Sequence, residues 1–282
     1  MNHIKTMFLM VLLTAVLILL GGVIAGNEGV VLAFVIALAI NFFAYWYSDK
    51  MAITMTRSKP LSEREAPQVY KAVHELTQNA GMPMPRIYLM PTDQPNAFAA
   101  GRNPGNAVIS VTRGLMNMLN YEELKGVLAH ELAHIRNRDT LISTVAAVMA
   151  GALMFIARMG MWGMMFGGGR RNSGSHPAML LIKLAAIILA PLGAMLIRMA
   201  ISRTREYGAD ATGAQMARNP EGLASALQKM ESYARRRPLQ VNEAASHLFI
   251  INPLSARGMG KLFSTHPPIK ERVERLQNLY VR

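Results

Sequence analysis

The chain has 282 residues, 51% of them hydrophobic and 17% charged. An ordinary soluble domain carries about 25% charge, so this composition, with a mean hydropathy of +0.20, argues against a purely soluble protein. Lys and Arg number 30 against 17 Asp and Glu, a net charge of +13; no nucleic-acid module is recognisable and much of the basic charge flanks apolar runs, which points to membrane surfaces and away from nucleic acid. There are no cysteines, so disulfides and thiolate metal sites are excluded, and a metal would have to be held by His and carboxylate.

In chain order, Met7 to Ala25 and Val30 to Tyr47 are uncharged stretches of 19 and 18 residues. At 1.5 Å per residue each comes close to the roughly 30 Å of a hydrocarbon core. Only Gly26-Asn27-Glu28-Gly29 separates them, which predicts a tight helical hairpin with Trp46 in an interfacial belt. A cleaved signal peptide ending near Ala25 is disfavoured, because a second apolar run follows at once. Residues 62–81 predict a helix ending at Gly81 and opening at either the Ser62–Glu65 capping box or Pro67. Pro85 to Met90, Asn96 to Ala100 and Ala107 to Thr112 are β-type runs separated by turn clusters such as Arg102 to Asn106, which predicts a small antiparallel sheet. A helix follows from Tyr121, after an Asn120 cap, to Arg136.

Leu141 to Phe166 and Ala178 to Ile197 form a second pair of apolar runs, joined by a Gly- and Arg-rich loop. They predict a second hydrophobic hairpin and four transmembrane helices in all. Beyond it, helices are predicted over Ile201 to Ala217, over Pro220 to Arg236 after an Asn219 cap, and over Pro268 to Tyr280. The domain reading is therefore an N-terminal transmembrane hairpin (1–49), a soluble part (50–140), the second hairpin (141–201) and a second soluble part (202–282). Nine Lys and Arg, among them Lys5, Lys50, Arg136 and Arg203, flank the span ends on the side of the soluble parts, whereas the outer loops carry Arg158, Arg170 and Arg171. The soluble parts are thus expected to face the cytoplasm.

The strongest chemical signal is His130-Glu131-Leu132-Ala133-His134. Two histidines four apart on a helix differ by about 40° in direction and about 6 Å in rise, so both imidazoles can reach one ion. Glu131, beside the first histidine, is placed to take a proton from a water activated by that metal. Val127, Leu128, Leu132 and Ile135 give this helix an apolar face, which argues against two merely solvated histidines. A third ligand must come from elsewhere. Glu206 and Asp210 lie one turn apart on a later helix and could supply a carboxylate ligand together with a carboxylate that orients a histidine. The same spacing also occurs on ordinary solvated helix faces.

These motifs, with Asn96-Ala97-Phe98-Ala99 upstream and Ser264-Thr265-His266-Pro267-Pro268 downstream, resemble the HtpX family of membrane zinc metalloproteases, relatives of the CAAX prenyl proteases. The resemblance covers essentially the whole chain; the short loop Gly167 to Pro177 and the stretch Ala245 to Gly260 depart from it. It implies one zinc ion per subunit on His130, His134 and Glu206, with Glu131 as base and Asp210 behind the ligands. It also implies that His266 faces the site and hydrogen-bonds an oxyanion, where sequence alone would leave His266 as a helix-entry residue. Asn96, Ala97, Phe98 and Ala99 read either as ordinary sheet or as an exposed edge strand that would hold an extended substrate backbone. The implied fold is mainly α, a zincin-like catalytic domain carried on four membrane helices. The implied activity is degradation of misfolded or damaged membrane proteins at the cytoplasmic face of the inner membrane, with the lipid bilayer and polypeptides as partners. A prenyl-protein-type processing enzyme and a non-enzymatic assembly factor with an incidental HExxH are the rival readings. Four spans are few to enclose the lumen the first needs; the second predicts no bound zinc.

Overall fold

The computed structural model describes residues 2–146, 148–149, 151–153, 203–236 and 267–279. The chain divides into two compact units, one of Met1–Trp46 with Ile142–Ala200 and the other of Tyr47–Leu141 with Ile201–Arg282.

In the first unit, helix α1 (Asn2–Trp46) turns back on itself at Gly26, whose φ of +60° is the left-handed conformation that glycine adopts without a Cβ clash. Asn41 Nδ2 consequently reaches Met10 O (3.3 Å) and Thr14 Oγ1 (3.0 Å) across the hairpin. The two arms contain Ile4–Gly22 and Gly26–Trp46, each long and apolar enough to cross a membrane. Most of the second predicted hairpin, 154–197, lies outside the described residues.

The second unit opens with α2 (Ser48–Met55) and β1 (Lys59–Pro60), neither of which the hydropathy pattern predicts. Helix α3 (Pro67–Ala80) starts at Pro67 and is closed by Gly81 in the left-handed region. Of the two predicted openings the structure takes Pro67; Glu65 instead accepts hydrogen bonds from Ser62 N–H (2.9 Å) and Ser62 Oγ (2.6 Å) in the turn before it. Strands β2 (Arg86–Met90), β3 (Ala97–Ala100) and β4 (Val108–Thr112) are followed by α4 (Arg113–Met118) and α5 (Tyr121–Arg136). The later helices are α6 (Arg203–Ala217), α7 (Pro220–Arg236) and α8 (Ile269–Gln277).

The sheet is mixed, not antiparallel as the sequence predicts. Its order is β1-β2-β4-β3, with β2 and β4 parallel, Ile87 opposite Ile109, and the two outer pairings antiparallel. After β2 the chain passes to the far edge, forms β3, and returns through the Arg102–Asn106 turn to place β4 in the gap. Consecutive strands are neighbours only roughly two-thirds of the time, and a local hairpin signal cannot report the exception. β4 is buried along its whole length and takes the centre. Pro60, which cannot donate to a ladder, sits on the edge strand β1.

Helix α5 runs through the middle of the core, against α3, α6, α7 and β3. A reciprocal capping box fixes its start: Asn120 Oδ1 accepts from Glu123 N–H (2.9 Å) and Glu123 Oε2 accepts from Asn120 N–H (3.0 Å). Leu124, Val127, Leu128 and Leu132 join Val73 and Leu76 of α3, Ile109 and Val111 of β4, and Leu223 and Leu227 of α7 in one buried cluster. Gly126 lets α7 come close, since a Cβ there would stand 2.5 Å from Leu223 N. Gly126→Ala is therefore expected to lower stability by about 1–3 kcal/mol, as overpacking does. Thermal unfolding of the detergent-solubilised protein checks this, and an unchanged melting temperature would contradict the close approach.

Candidate metal centre

The four-residue spacing of His130 and His134 on α5 points both rings the same way. Their Nε2 atoms lie 3.2 Å apart. On α6, Glu206 faces them, with Oε2 3.8 Å from His130 Nε2 and Oε1 3.6 Å from His134 Nε2. Ligand atoms from the three residues lie within 4.8 Å of one another and could hold a metal ion.

Each ring is aimed by a carboxylate on its other nitrogen. His130 Nδ1–H donates to Asp210 Oδ1 at 2.9 Å. His134 Nδ1–H donates to Asp139 Oδ2 at 3.2 Å. Such partners fix the tautomer and leave Nε2 for an ion. Asp210 is gripped in turn by Arg272 of α8, which donates from Nε to Oδ2 (2.8 Å) and from Nη2 to Oδ1 (2.6 Å).

Glu131 is buried on the same helix, and the Ala99 backbone N–H of β3 donates to it. Burial pushes its carboxyl up to about 7, an effect opposed by His134 and reinforced by the charge of Glu206. Burial lowers His130 below the ordinary histidine range. Burial would lower His134 too, but the bond to Asp139 and the charges of Glu206 and Glu131 outweigh it and raise His134 to about 9. For Asp210, Arg272 outweighs burial and holds the carboxyl near 2. Without a bound metal the surroundings thus favour a proton on His134 over one on His130.

The family profile of peptidase family M48 matches residues 63–280, most of the chain and all of this site. The chain belongs to peptidase family M48. A "Protease HtpX homolog" from Pelotomaculum thermopropionicum is 54% identical over 281 residues, covering 100% of both chains. Another from Thermococcus sibiricus is 50% identical over 277 residues, covering 98% of this chain and 95% of its own. Among solved structures, the crystal structure of S. mikatae Ste24p matches with a TM-score of 0.53 at 20% identity, a likeness of fold. The match covers 86% of this chain but 57% of Ste24p, so the chain spans little more than half that protein's length. This M48 member is a metalloprotease with two N-terminal helices long and apolar enough to cross a membrane.

Of the residues singled out from sequence, the structure brings His130, Glu131, His134, Glu206 and Asp210 together. Ala97, Phe98 and Ala99 lie in β3, which among the described residues is an edge strand, with Asn96 immediately before it. His266 lies outside the described residues, as does 245–260. Two members of the cluster escape a sequence reading, Asp139 and Arg272. Helix α5 ends at Arg136, and Arg138 in the left-handed region (φ 58°) turns the chain so that Asp139 comes back to His134. Arg272 carries a faint signal: Ile269, Arg272, Val273 and Leu276 share one face of α8, so a charge sits on the apolar stripe.

Because His134 titrates near 9 without metal, an ion must displace its proton. Metal uptake at pH 7 is expected to release about one proton, and affinity to rise with pH up to about 9 and then level. Without metal the sign is reversed: the raised pKa stabilises the fold fully below about 6.5, and that contribution is lost as pH rises through about 9. Calorimetry in buffers of different ionisation enthalpy measures the proton count; a pH-independent affinity would contradict a protonated His134.

Proposed function

We propose that the chain is a zinc endopeptidase anchored in the inner membrane by four spans, cleaving misfolded or damaged membrane proteins on the cytoplasmic side. His130, His134 and Glu206 hold one zinc ion, and Asp210 orients His130. The observation that carries this reading is the convergence of the three side chains: the histidine Nε2 atoms are 3.2 Å apart, one Glu206 oxygen is 3.8 Å from the first and the other 3.6 Å from the second, and one atom from each residue lies within 4.8 Å of the others. Donors at about 2.0–2.2 Å around a tetrahedral zinc stand roughly 3.3–3.5 Å apart. Three protein donors leave the fourth position open, the pattern of a catalytic site.

Held by these three residues, a zinc ion would supply Lewis acidity, lowering the pKa of water and polarising a carbonyl oxygen. Glu131 is the base. Buried beside the ligands, it accepts the proton of the attacking water and returns it to the amine that leaves. The Ala99 N–H holds its carboxylate at the strand where a substrate would lie. An extended polypeptide adds along the outer side of β3, at Asn96, Ala97, Phe98 and Ala99, by main-chain hydrogen bonds. His266 is assigned the oxyanion donor on the family resemblance alone.

Parts 50–140 and 202–282 make up the catalytic domain, since α5 of one and α6 of the other share the site. Parts 1–49 and 141–201 are the membrane hairpins. The cytoplasmic orientation rests on the Lys and Arg flanking the spans. Membrane-protein substrates are inferred from that anchoring.

Metal analysis and casein digestion by the purified protein test the core of the reading. Glu131→Gln is expected to keep stoichiometric zinc and to lose proteolysis by at least about 10²–10⁴; near wild-type turnover would sink the mechanism. In chelator titrations, Glu206→Ala is expected to release the metal, whereas Asp210→Ala weakens it about 10–100-fold. If Asp210→Ala lost more metal than Glu206→Ala, the two roles would be exchanged.

A further inference from the structure

Arg272 is completely buried, the one Lys or Arg in that state among the described residues. Burying a guanidinium without partners is heavily unfavourable, so its location has to be explained by what it faces. It grips Asp210 with two parallel hydrogen bonds, Nε to Oδ2 at 2.8 Å and Nη2 to Oδ1 at 2.6 Å. That fork fixes the plane of the carboxylate. The same Oδ1 takes the Nδ1–H of His130 at 2.9 Å. Arg272 Nη2 lies 3.4 Å from that Nδ1, two donors converging on one acceptor. The other arm, Nη1, stands 3.8 Å from Glu206 Oε2. One guanidinium therefore faces both the carboxylate that aims a histidine and the carboxylate that would take the metal.

We infer that Arg272 is a positioning residue of the metal centre, acting through Asp210 on His130, so that the centre is complete only when helix α8 is docked on α6. A plain bracing role does not account for this placement. Helix α8 is already braced on α6 at the margin of the interface, where the Arg275 guanidinium stacks 3.8 Å over the Tyr207 ring. Arg272 lies one turn inward and spends its donors on the acidic residues of the site. A lysine could keep the charge there but not the fork, being a single point of charge.

The inference rests on the metal-centre reading, and its test separates the two. In the full-length protein in detergent, zinc affinity is measured by chelator competition and ligand geometry by the visible spectrum of the cobalt(II) form. Arg272→Lys is expected to fold and to bind zinc at least about tenfold more weakly, with an altered cobalt spectrum. The double variant Asp210→Asn/Arg272→Met removes both buried charges together, a change that folded proteins often tolerate, and keeps the experiment decisive if Arg272→Lys unfolds. It is expected to bind about 10–100-fold more weakly, as changes behind metal ligands do, and no more weakly than Asp210→Asn alone. Wild-type zinc affinity and an unchanged cobalt spectrum in both variants would overturn the inference and leave Arg272 a brace. So would a loss in the double variant well beyond that of Asp210→Asn, since Arg272 would then not act through Asp210. A wild-type protein that takes up no divalent ion would overturn the metal-centre reading itself, and this inference with it.

Discussion

Four carboxylates, Glu131, Asp139, Glu206 and Asp210, are buried around two imidazoles, and their mutual repulsion is the constraint that the rest of the site answers. Arg272 sits fully buried among them, and Arg205 is held by the charges of Asp139 and Glu206. Among the described residues, two guanidiniums against four carboxylates leave two negative charges, which a divalent ion would match. Without an ion, the excess appears as protons held where they would ordinarily be lost. His134 keeps its proton to about 9 and Glu131 to about 7. The surrounding carboxylates raise His134, whereas Glu131 is raised chiefly by its burial, with the charge of Glu206 adding to it.

Opposing charge alone would not bring α6 to α5; the backbones must also fit. Glu206, Asp210 and Gly213 fall at i, i+4 and i+7 on one face of α6. A Cβ at Gly213 would stand 2.9 Å from Ala129 C and His130 N. Ala129 and Ala133 of α5 and Ala209 of α6 are buried with it. Small side chains thus let the helices approach beside His130, and short acidic side chains span what remains. A larger residue at Gly213 would move both carboxylates away from the rings while leaving the HExxH intact.

The features legible in the sequence are those set by neighbours along the chain. The HExxH spacing, the Asn120 cap and the Gly81 stop each depend on residues within a few positions, whereas the sequence leaves the start of α3 open between the Ser62–Glu65 box and Pro67. What sequence misses is set by packing between distant segments. Strand order is one case, because β3 and β4 read as a hairpin whichever of them lies beside β2. Arg272 is another: it meets His130 across 142 residues, and its neighbours Lys270, Glu271, Glu274 and Arg275 form ordinary i, i+4 pairs. Asp139 is hidden for a different reason. It follows the end of α5, and only the left-handed Arg138 turns it back to the ring.

The two candidate ligand histidines share one helix, yet the groups that aim them come from separate places. Asp139 follows α5 directly and can hold His134 as soon as that helix ends. Asp210 reaches His130 only when α6 has packed on α5, and it is held in plane only when α8 has packed on α6. His134 is thus oriented by local structure, His130 by tertiary structure. A chain with α5 formed but α6 and α8 undocked would present one aimed imidazole and one free to rotate, and would lack Glu206 altogether. Such a half-site binds an ion weakly, because a small site gains its affinity from donors already in place. Completion of the metal centre therefore requires α5, α6 and α8 to be packed on one another.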